Sequence, residues 1–450
     1  MSTFKLHDYQ TDIAQKATAI LAKLGLVYIA AQVRCGKTHM SLETARLYGA
    51  KKVLFITKKK VLSTKERKGS IENDYIEGKY PFEIVIINVE SLHSVPDNDF
   101  DLLIADEAHQ YGQFPKPANR TLDVKKRFGN LPVIFLTGTP TPESGSQIFH
   151  QLHLSNRSPF RQYANFYKWA HDYVKIYQQN MGYAVVNKYD RARQDLINPI
   201  LEPYLLTFTQ QEAGFQSEVK EHFLEVEMKP ITYQLITQLK EDFCIVGKEK
   251  TVTADSAVKL LSKCHQLAGG TIKFDDGTAK TIDSTKAEFI KKQFAGVKIG
   301  LFYKFKEEWE MLKSVFGDEI CNNLDEFTST NKSIALQIQA GREGISLKEA
   351  KYLVYMSVDF SSVSYLQSKA RSQTRDRLET EVFWIFAKNT LDQKIYKQVM
   401  SKGKYTSQYF LKSNNIKFPK KEPVEVGGLD MFKKYGVETI QMGNRTYKVK

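Results

Sequence analysis

Val27-Tyr-Ile-Ala-Ala31-Gln-Val-Arg-Cys-Gly36-Lys37-Thr38 runs from an apolar stretch into a glycine, a lysine and a threonine, and a helical pattern follows. The spacing is A-x4-G-K-T, against the general phosphate-loop pattern G-x4-G-K-[ST]. A tight turn after a buried strand lets backbone N–H groups converge on phosphate oxygens. The helix that follows adds the positive end of its dipole. On this reading Lys37 reaches the β- and γ-phosphates and the Thr38 hydroxyl ligates Mg²⁺, while Ala31, Arg34, Cys35 and Gly36 wall the nucleotide cradle. Gly-Lys-Thr alone is a common tripeptide; the strand before it and the helix after it give it weight.

Outward from this loop, short apolar runs recur at Val27–Ala31, Val53–Thr57, Ile84–Val89, Leu102–Ala105 and Val133–Leu136. Runs of this length with polar or glycine punctuation read as strands buried on both faces. Ile13, Ala17, Ile20, Leu21 and Leu24 fall at helical spacing after Asp8, a suitable N-cap. Alternation of strand and helix predicts a parallel sheet with helices on both sides. A second series, Ile299–Tyr303, Ile334–Ile338, Tyr352–Met356 and Val382–Phe386, repeats the pattern. The expected organisation is α/β: domain one over residues 1–145, a mainly helical insertion over 146–282, domain two over 283–412 and a basic extension over 413–450. The aromatics Phe160, Tyr163, Phe166, Tyr167, Trp169, Tyr173 and Tyr177 crowd the insertion. Helix core and base stacking both account for them.

The 450 residues suffice for two or three packed domains, and the formal net charge of +14 favours a polyanionic partner. The last 50 residues hold ten Lys and one Arg against four acidic residues, half of the whole excess. Cys35, Cys244, Cys264 and Cys321 show no CxxC spacing, which argues against a structural metal and for a reducing compartment. The sequence lacks an apolar signal region and a stretch long enough to span a membrane, so a cytoplasmic protein without membrane contact is expected.

Leu102-Leu-Ile-Ala105 precedes Asp106-Glu107-Ala108-His109. Two adjacent carboxylates at the ligand edge of a parallel sheet are costly unless a cation is present. Asp106 suits a Mg²⁺ ligand and Glu107 a base that orients and deprotonates water. With the phosphate loop upstream, this box resembles the DEAH-type box of superfamily 2 helicases, in which an alanine at the place of Ala31 is usual. The resemblance implies two tandem RecA-like domains, ATP and Mg²⁺, and a link from His109 to later motifs. Thr137-Gly-Thr-Pro140 resembles the family's coupling motif. Gln10, in Leu6-His-Asp-Tyr-Gln10, resembles the glutamine that reads adenine.

In the second half, Gln339-Ala-Gly-Arg-Glu-Gly-Ile-Ser-Leu347 resembles the motif that touches both nucleotide and nucleic acid, with Gly341 and Gly344 admitting close backbone approach to phosphates. Gln367-Ser-Lys-Ala-Arg371-Ser-Gln-Thr-Arg375-Asp-Arg377 resembles the arginine-finger motif Q-x-x-x-R-x-x-R. Gln367 and Arg371 fit it; Thr374 stands at the second arginine position, so Arg375 lies one residue late and Arg377 stays open as its replacement. Leu6–Gln10, Ser284–Ile290, Val358-Asp-Phe360, Asn389–Val399 and the stretch Phe160–Glu212 resemble the Swi/Snf-like branch.

The resemblance implies an ATP-dependent translocase or helicase on DNA, duplex or branched, of the compact kind common among phages and bacteria. Candidate nucleic-acid contacts are Lys58, Lys59 and Lys60, Thr139 and Ser346, with the basic tail. Lysine runs are also ordinary solvated surface. An RNA helicase, the ATPase subunit of a larger restriction or repair complex, and a binding module with a dead ATPase are the alternatives. Intact Lys37, Thr38, Asp106, Glu107 and Arg371 argue against the last. Gly443-Asn444, between Thr439–Met442 and Arg445–Val449, suits the turn of a small hairpin.

Overall fold

The computed structural model describes residues 5–58, 70–96, 100–180, 185–214, 218–247, 249–338, 347–360, 379–400, 439–442 and 445–448. Five strands, β1 (Leu26–Ala31), β2 (Lys52–Thr57), β3 (Glu83–Asn88), β4 (Leu102–Ala105) and β5 (Val133–Leu136), lie on the five apolar runs of the first series. Beyond them come an antiparallel ribbon, β6 (Tyr177–Asn180) and β7 (Val185–Lys188), and then β8 (Leu205–Phe208). The first sheet has the order β3-β2-β4-β5-β1-β8, and every pair in it is parallel.

Successive side chains of a strand face opposite sides of the sheet. Leu26, Tyr28, Leu54, Ile56, Leu103, Ala105, Val133 and Phe135 accordingly enter one core, and Val27, Ile29, Val53, Phe55, Leu102, Ile104, Ile134 and Leu136 the other. Each fully buried Val, Leu, Ile or Phe contributes about 1.5–3 kcal/mol. The two-faced sheet is therefore a stiff scaffold for the loops at its carboxyl edge.

The second sheet repeats the plan. Its strands are β9 (Glu218–Val226), β14 (Ile299–Tyr303), β15 (Ile320–Cys321), β16 (Ser333–Gln337), β17 (Tyr352–Tyr355) and β18 (Glu379–Ala387), in the parallel order β15-β16-β14-β17-β18-β9. Two small hairpins, β10 (Cys244–Val246) with β11 (Thr251–Thr253) and β12 (Thr271–Lys273) with β13 (Ala279–Thr281), lie between β9 and β14 in the chain. The hairpin expected around Gly443-Asn444 is present as β19 (Thr439–Met442) against β20 (Arg445–Lys448).

Residues 146–282 depart from the expected helical insertion. The segment holds strands β6 to β13 as well as helices, and it divides between the two sheets: β8 completes the first and β9 the second. The first sheet therefore ends at Phe208 and the second begins at Glu218. The physical reason is that Tyr177-Gln-Gln-Asn and Leu205-Leu-Thr-Phe are too short to show a period. Glu218-Val-Lys-Glu-His-Phe-Leu-Glu-Val226 lies at a sheet edge, where polar side chains are tolerated. The aromatic crowd is core: Phe160, Phe166 and Trp169 are buried, the two phenylalanines contact Trp169, and all three contact Phe149. Tyr167 is the exposed member. Asp8 opens the first helix, Asp8–Leu24, rather than capping it. The cap position is His7, whose backbone N–H donates to Gln10 Oε1 at 2.9 Å. Among the described residues, no helix is long and apolar enough to cross a membrane.

Candidate nucleotide site

Strands β4, β5 and β1 are neighbours in one parallel sheet, so their carboxyl ends lie along one edge. That edge brings together Asp106-Glu107 after β4, Thr137–Pro140 after β5 and the phosphate loop after β1. The crevice beyond the carboxyl ends is where open α/β sheets take ligands.

The phosphate loop turns on backbone that few residues adopt. Gly36 has φ +79° and Arg34 has φ +67°, and the helix Lys37–Tyr48 starts immediately after. A side chain at position 36 is disfavoured by the left-handed backbone and would displace the Gln10 amide, since a Cβ there would lie 2.0 Å from Gln10 Nε2. Gln10, buried on the helix Asp8–Leu24, is thus set directly against the loop. Its Oε1 accepts from His7 N, and a carbonyl oxygen retains a second lone pair for a ligand. Tyr9 stacks between His7 and Phe208, with centroids 5.5 and 4.8 Å away. Lys37 Nζ donates to Ala31 O at 3.0 Å and Gln32 O at 3.3 Å, folded back over its own loop. Cys35 is buried within the core beneath.

Asp106 is fixed on both oxygens. Thr57 Oγ1, at the end of β2, donates to Oδ2 at 2.8 Å, and the Glu107 N–H donates to Oδ1 at 2.9 Å. Glu107 occupies the left-handed region, φ 49° and ψ 51°, and is the N-cap of the 3₁₀ turn Ala108–Tyr111. Its Oε2 is buried and lies 3.2 Å from His109 Nδ1. His109 Nδ1 also lies 2.9 Å from Thr137 Oγ1, which accepts from Thr139 N at 3.2 Å. The expected link from His109 to the later motif is therefore a physical contact.

Two carboxylates in one buried site cannot both ionise cheaply. Burial and then the charge of Glu107 push Asp106 above the ordinary carboxylate range, against the pull of Thr57 and Lys37. Burial also pushes Glu107 up, but His109, Lys37 and Lys58 outweigh it and hold this carboxyl below its usual value. A divalent cation beside Asp106 would remove the cost that raises it, so the donor set suits Mg²⁺ with a nucleotide polyphosphate.

The structure also sorts the other candidates. Lys58 follows β2 at this edge, and its charge reaches Glu107. The Thr139 Oγ1 is buried without a hydrogen-bond partner. Lys59, Lys60, Gly341, Gly344, Ser346, Gln367, Arg371, Arg375 and Arg377 lie outside the described residues. Two of the segments that resemble the Swi/Snf-like branch, Ser284–Ile290 and Asn389–Val399, meet through a buried ion pair, Lys286 Nζ to Asp392 Oδ2 at 2.7 Å.

Sequence reasoning missed Thr57, because nothing local says that β2 neighbours β4. It missed Gln210, whose N–H donates to Gln32 Oε1 at 2.8 Å and whose Nε2 donates to Val33 O at 2.9 Å, bracing the phosphate loop from beyond β8.

Residues 3–142 match the model of the family described as type III restriction enzyme, res subunit. No curated protein matches the chain. Among solved structures, the Sulfolobus solfataricus SWI2/SNF2 ATPase core in complex with dsDNA is similar at 15% identity and TM-score 0.39, over 89% of this chain and 91% of that one. The Sulfolobus solfataricus SWI2/SNF2 ATPase core domain is similar at 14% identity and TM-score 0.35, over 93% of this chain and 92% of that one. The family match and the motif geometry fall on the same residues: the stretch 3–142 holds the phosphate loop, Asp106-Glu107 and Thr137–Pro140, all on the first of the two parallel sheets.

Proposed function

We propose that the chain hydrolyses ATP to move on DNA, duplex or branched, and remodels forks or junctions. The observation that carries the chemical part is the buried pair Asp106-Glu107 at the edge that also bears Lys37, whose charge acts on both carboxylates. Lys37 steadies the β- and γ-phosphates once released from Ala31 O and Gln32 O. Thr38 and Asp106 would hold Mg²⁺, which would supply positive charge against the γ-phosphate. Glu107 orients the attacking water and takes its proton, and His109 carries the state of Glu107 to Thr137. Gln10 reads the adenine edge, and Ala31, Arg34, Cys35, Gly36 and Gly344 shape the cradle. Arg371, with Arg375, supplies guanidinium charge from the second domain.

The net charge of +14 supports a polyanionic track, with Lys58, Lys59, Lys60, Thr139 and Ser346 as contacts. Lys58 sits between the two tasks, since its charge also reaches Glu107. The Swi/Snf-like segments favour DNA over RNA. A fork with complementary arms, given ATP, should be converted to re-annealed products, while a long plain duplex is left intact and Glu107→Gln converts neither. Conversion of RNA duplexes alone would overturn the DNA reading. The family match favours a second reading, the ATPase subunit of a larger restriction complex; a nuclease that co-purifies with the chain would establish it.

A further inference from the structure

The ribbon β6–β7 has no part in the nucleotide site, and its construction is unlike the rest of the first domain. A two-stranded ribbon is marginal in water by itself. Here its base is held firmly. Val174 bridges Ala192, Lys175 N donates to Arg191 O at 2.8 Å and Arg193 N donates to Tyr173 O at 2.7 Å. Val174 is buried, as is Ile197 on the helix that follows. Further out, Val185 is 59% and Val186 is 39% exposed. Consecutive strand residues face opposite sides. Exposure of both means that the ribbon stands clear of the domain on both faces there. Two exposed valines add nothing to the core, and burial does not explain them.

The base of the ribbon is tied to the nucleotide edge. Ser144 Oγ donates to Asp190 O at 2.8 Å, and Ser146 Oγ donates to Tyr189 O. Ser144 and Ser146 follow Thr137–Pro140, the segment that His109 contacts beside Glu107. A chain of direct contacts and short backbone therefore runs from the hydrolytic carboxylate to the ribbon.

From Val174 to Tyr189 the sequence holds Lys175 and Lys188 and no acidic residue. Arg191 lies over the Tyr177 ring at 4.0 Å, and Asp190 accepts from the Tyr177 hydroxyl at 3.1 Å. A ribbon whose root sets Lys175, Lys188, Arg191 and Arg193 against Asp172 and Asp190, and which is apolar further out, suits a polyanion whose interior is apolar, which is the end of a base-paired stack.

We propose that the ribbon β6–β7 meets the exposed terminal base pair of a DNA fork or junction and splits or guides its strands as the motor pulls. The basic root faces phosphates, and the valines abut the base pair, much as the apolar wedges of DNA-bending proteins press on base steps. The proposal rests on the DNA reading above. The test uses the full chain with residues 179–186 replaced by Gly-Gly, which closes the turn between the paired residues Gln178 and Asn187. A milder variant, Val185→Ser with Val186→Ser, guards against misfolding. Both should keep the DNA-stimulated ATPase within about twofold and lose fork processing by roughly tenfold, the scale of one lost base contact. Stimulated ATPase with unchanged fork processing in both variants overturns the proposal alone. An ATPase that no DNA stimulates, in the unsubstituted protein, overturns the DNA reading and the ribbon's role with it.

Discussion

The proposed function gives Lys37 and Glu107, on one sheet edge, different work, and substitution should separate them. Lys37→Ala should weaken ATP binding and abolish turnover. Glu107→Gln should bind ATP and lose turnover by about 10²–10⁴-fold, the contribution of a positioned base. Equilibrium binding of a fluorescent nucleotide beside steady-state hydrolysis measures both; normal turnover in Glu107→Gln would remove it as the base. Arg371→Ala should leave nucleotide binding nearly intact and depress turnover by roughly 10³-fold. If Arg375→Ala is active and Arg377→Ala is not, the second guanidinium is Arg377. The residues legible in the sequence were those whose chemistry is local. Gly36, Lys37 and Thr38 are contiguous, and so are Asp106 to His109. Thr57 was not legible, because its contact with Asp106 depends on strand order. The pressing of Gln10 against Gly36 is likewise a tertiary fact, although the family resemblance gave Gln10 a role.

At the scale of elements, the central strands were legible because burial on both faces writes an uninterrupted apolar run. β6, β7, β8 and β9 were not, being short, exposed or at an edge, and so the region between the two sheets read as helix. The aromatic cluster around Phe149 now has a definite task, joining the helices Ile148–His153 and Phe166–Tyr173 beneath the ribbon. Phe149→Ala should cost about 3–5 kcal/mol of stability, read by chemical denaturation. In the second domain, Lys286→Met leaves Asp392 charged and buried without its nearest cation. That loss should destabilise by roughly 3–5 kcal/mol. A cost below the resolution of the denaturation curve would show that Asp392 finds another partner.

At the scale of the whole molecule, two parallel sheets in one chain suit the proposed motor: if Arg371 supplies charge to a nucleotide on the other sheet, hydrolysis depends on their approach. Phosphate contacts release counterions, so DNA affinity should fall steeply as salt rises. Deleting residues 416–450 should weaken binding of branched DNA and spare the basal ATPase; undiminished fork affinity would take the tail out of the interface. The most direct measurement is the ATPase rate of the intact chain with no nucleic acid, single-stranded DNA, plain duplex, forked DNA and RNA in turn. Duplex or forked DNA should stimulate hydrolysis more than single strands or RNA do, and stronger activation by RNA than by any DNA would contradict the account.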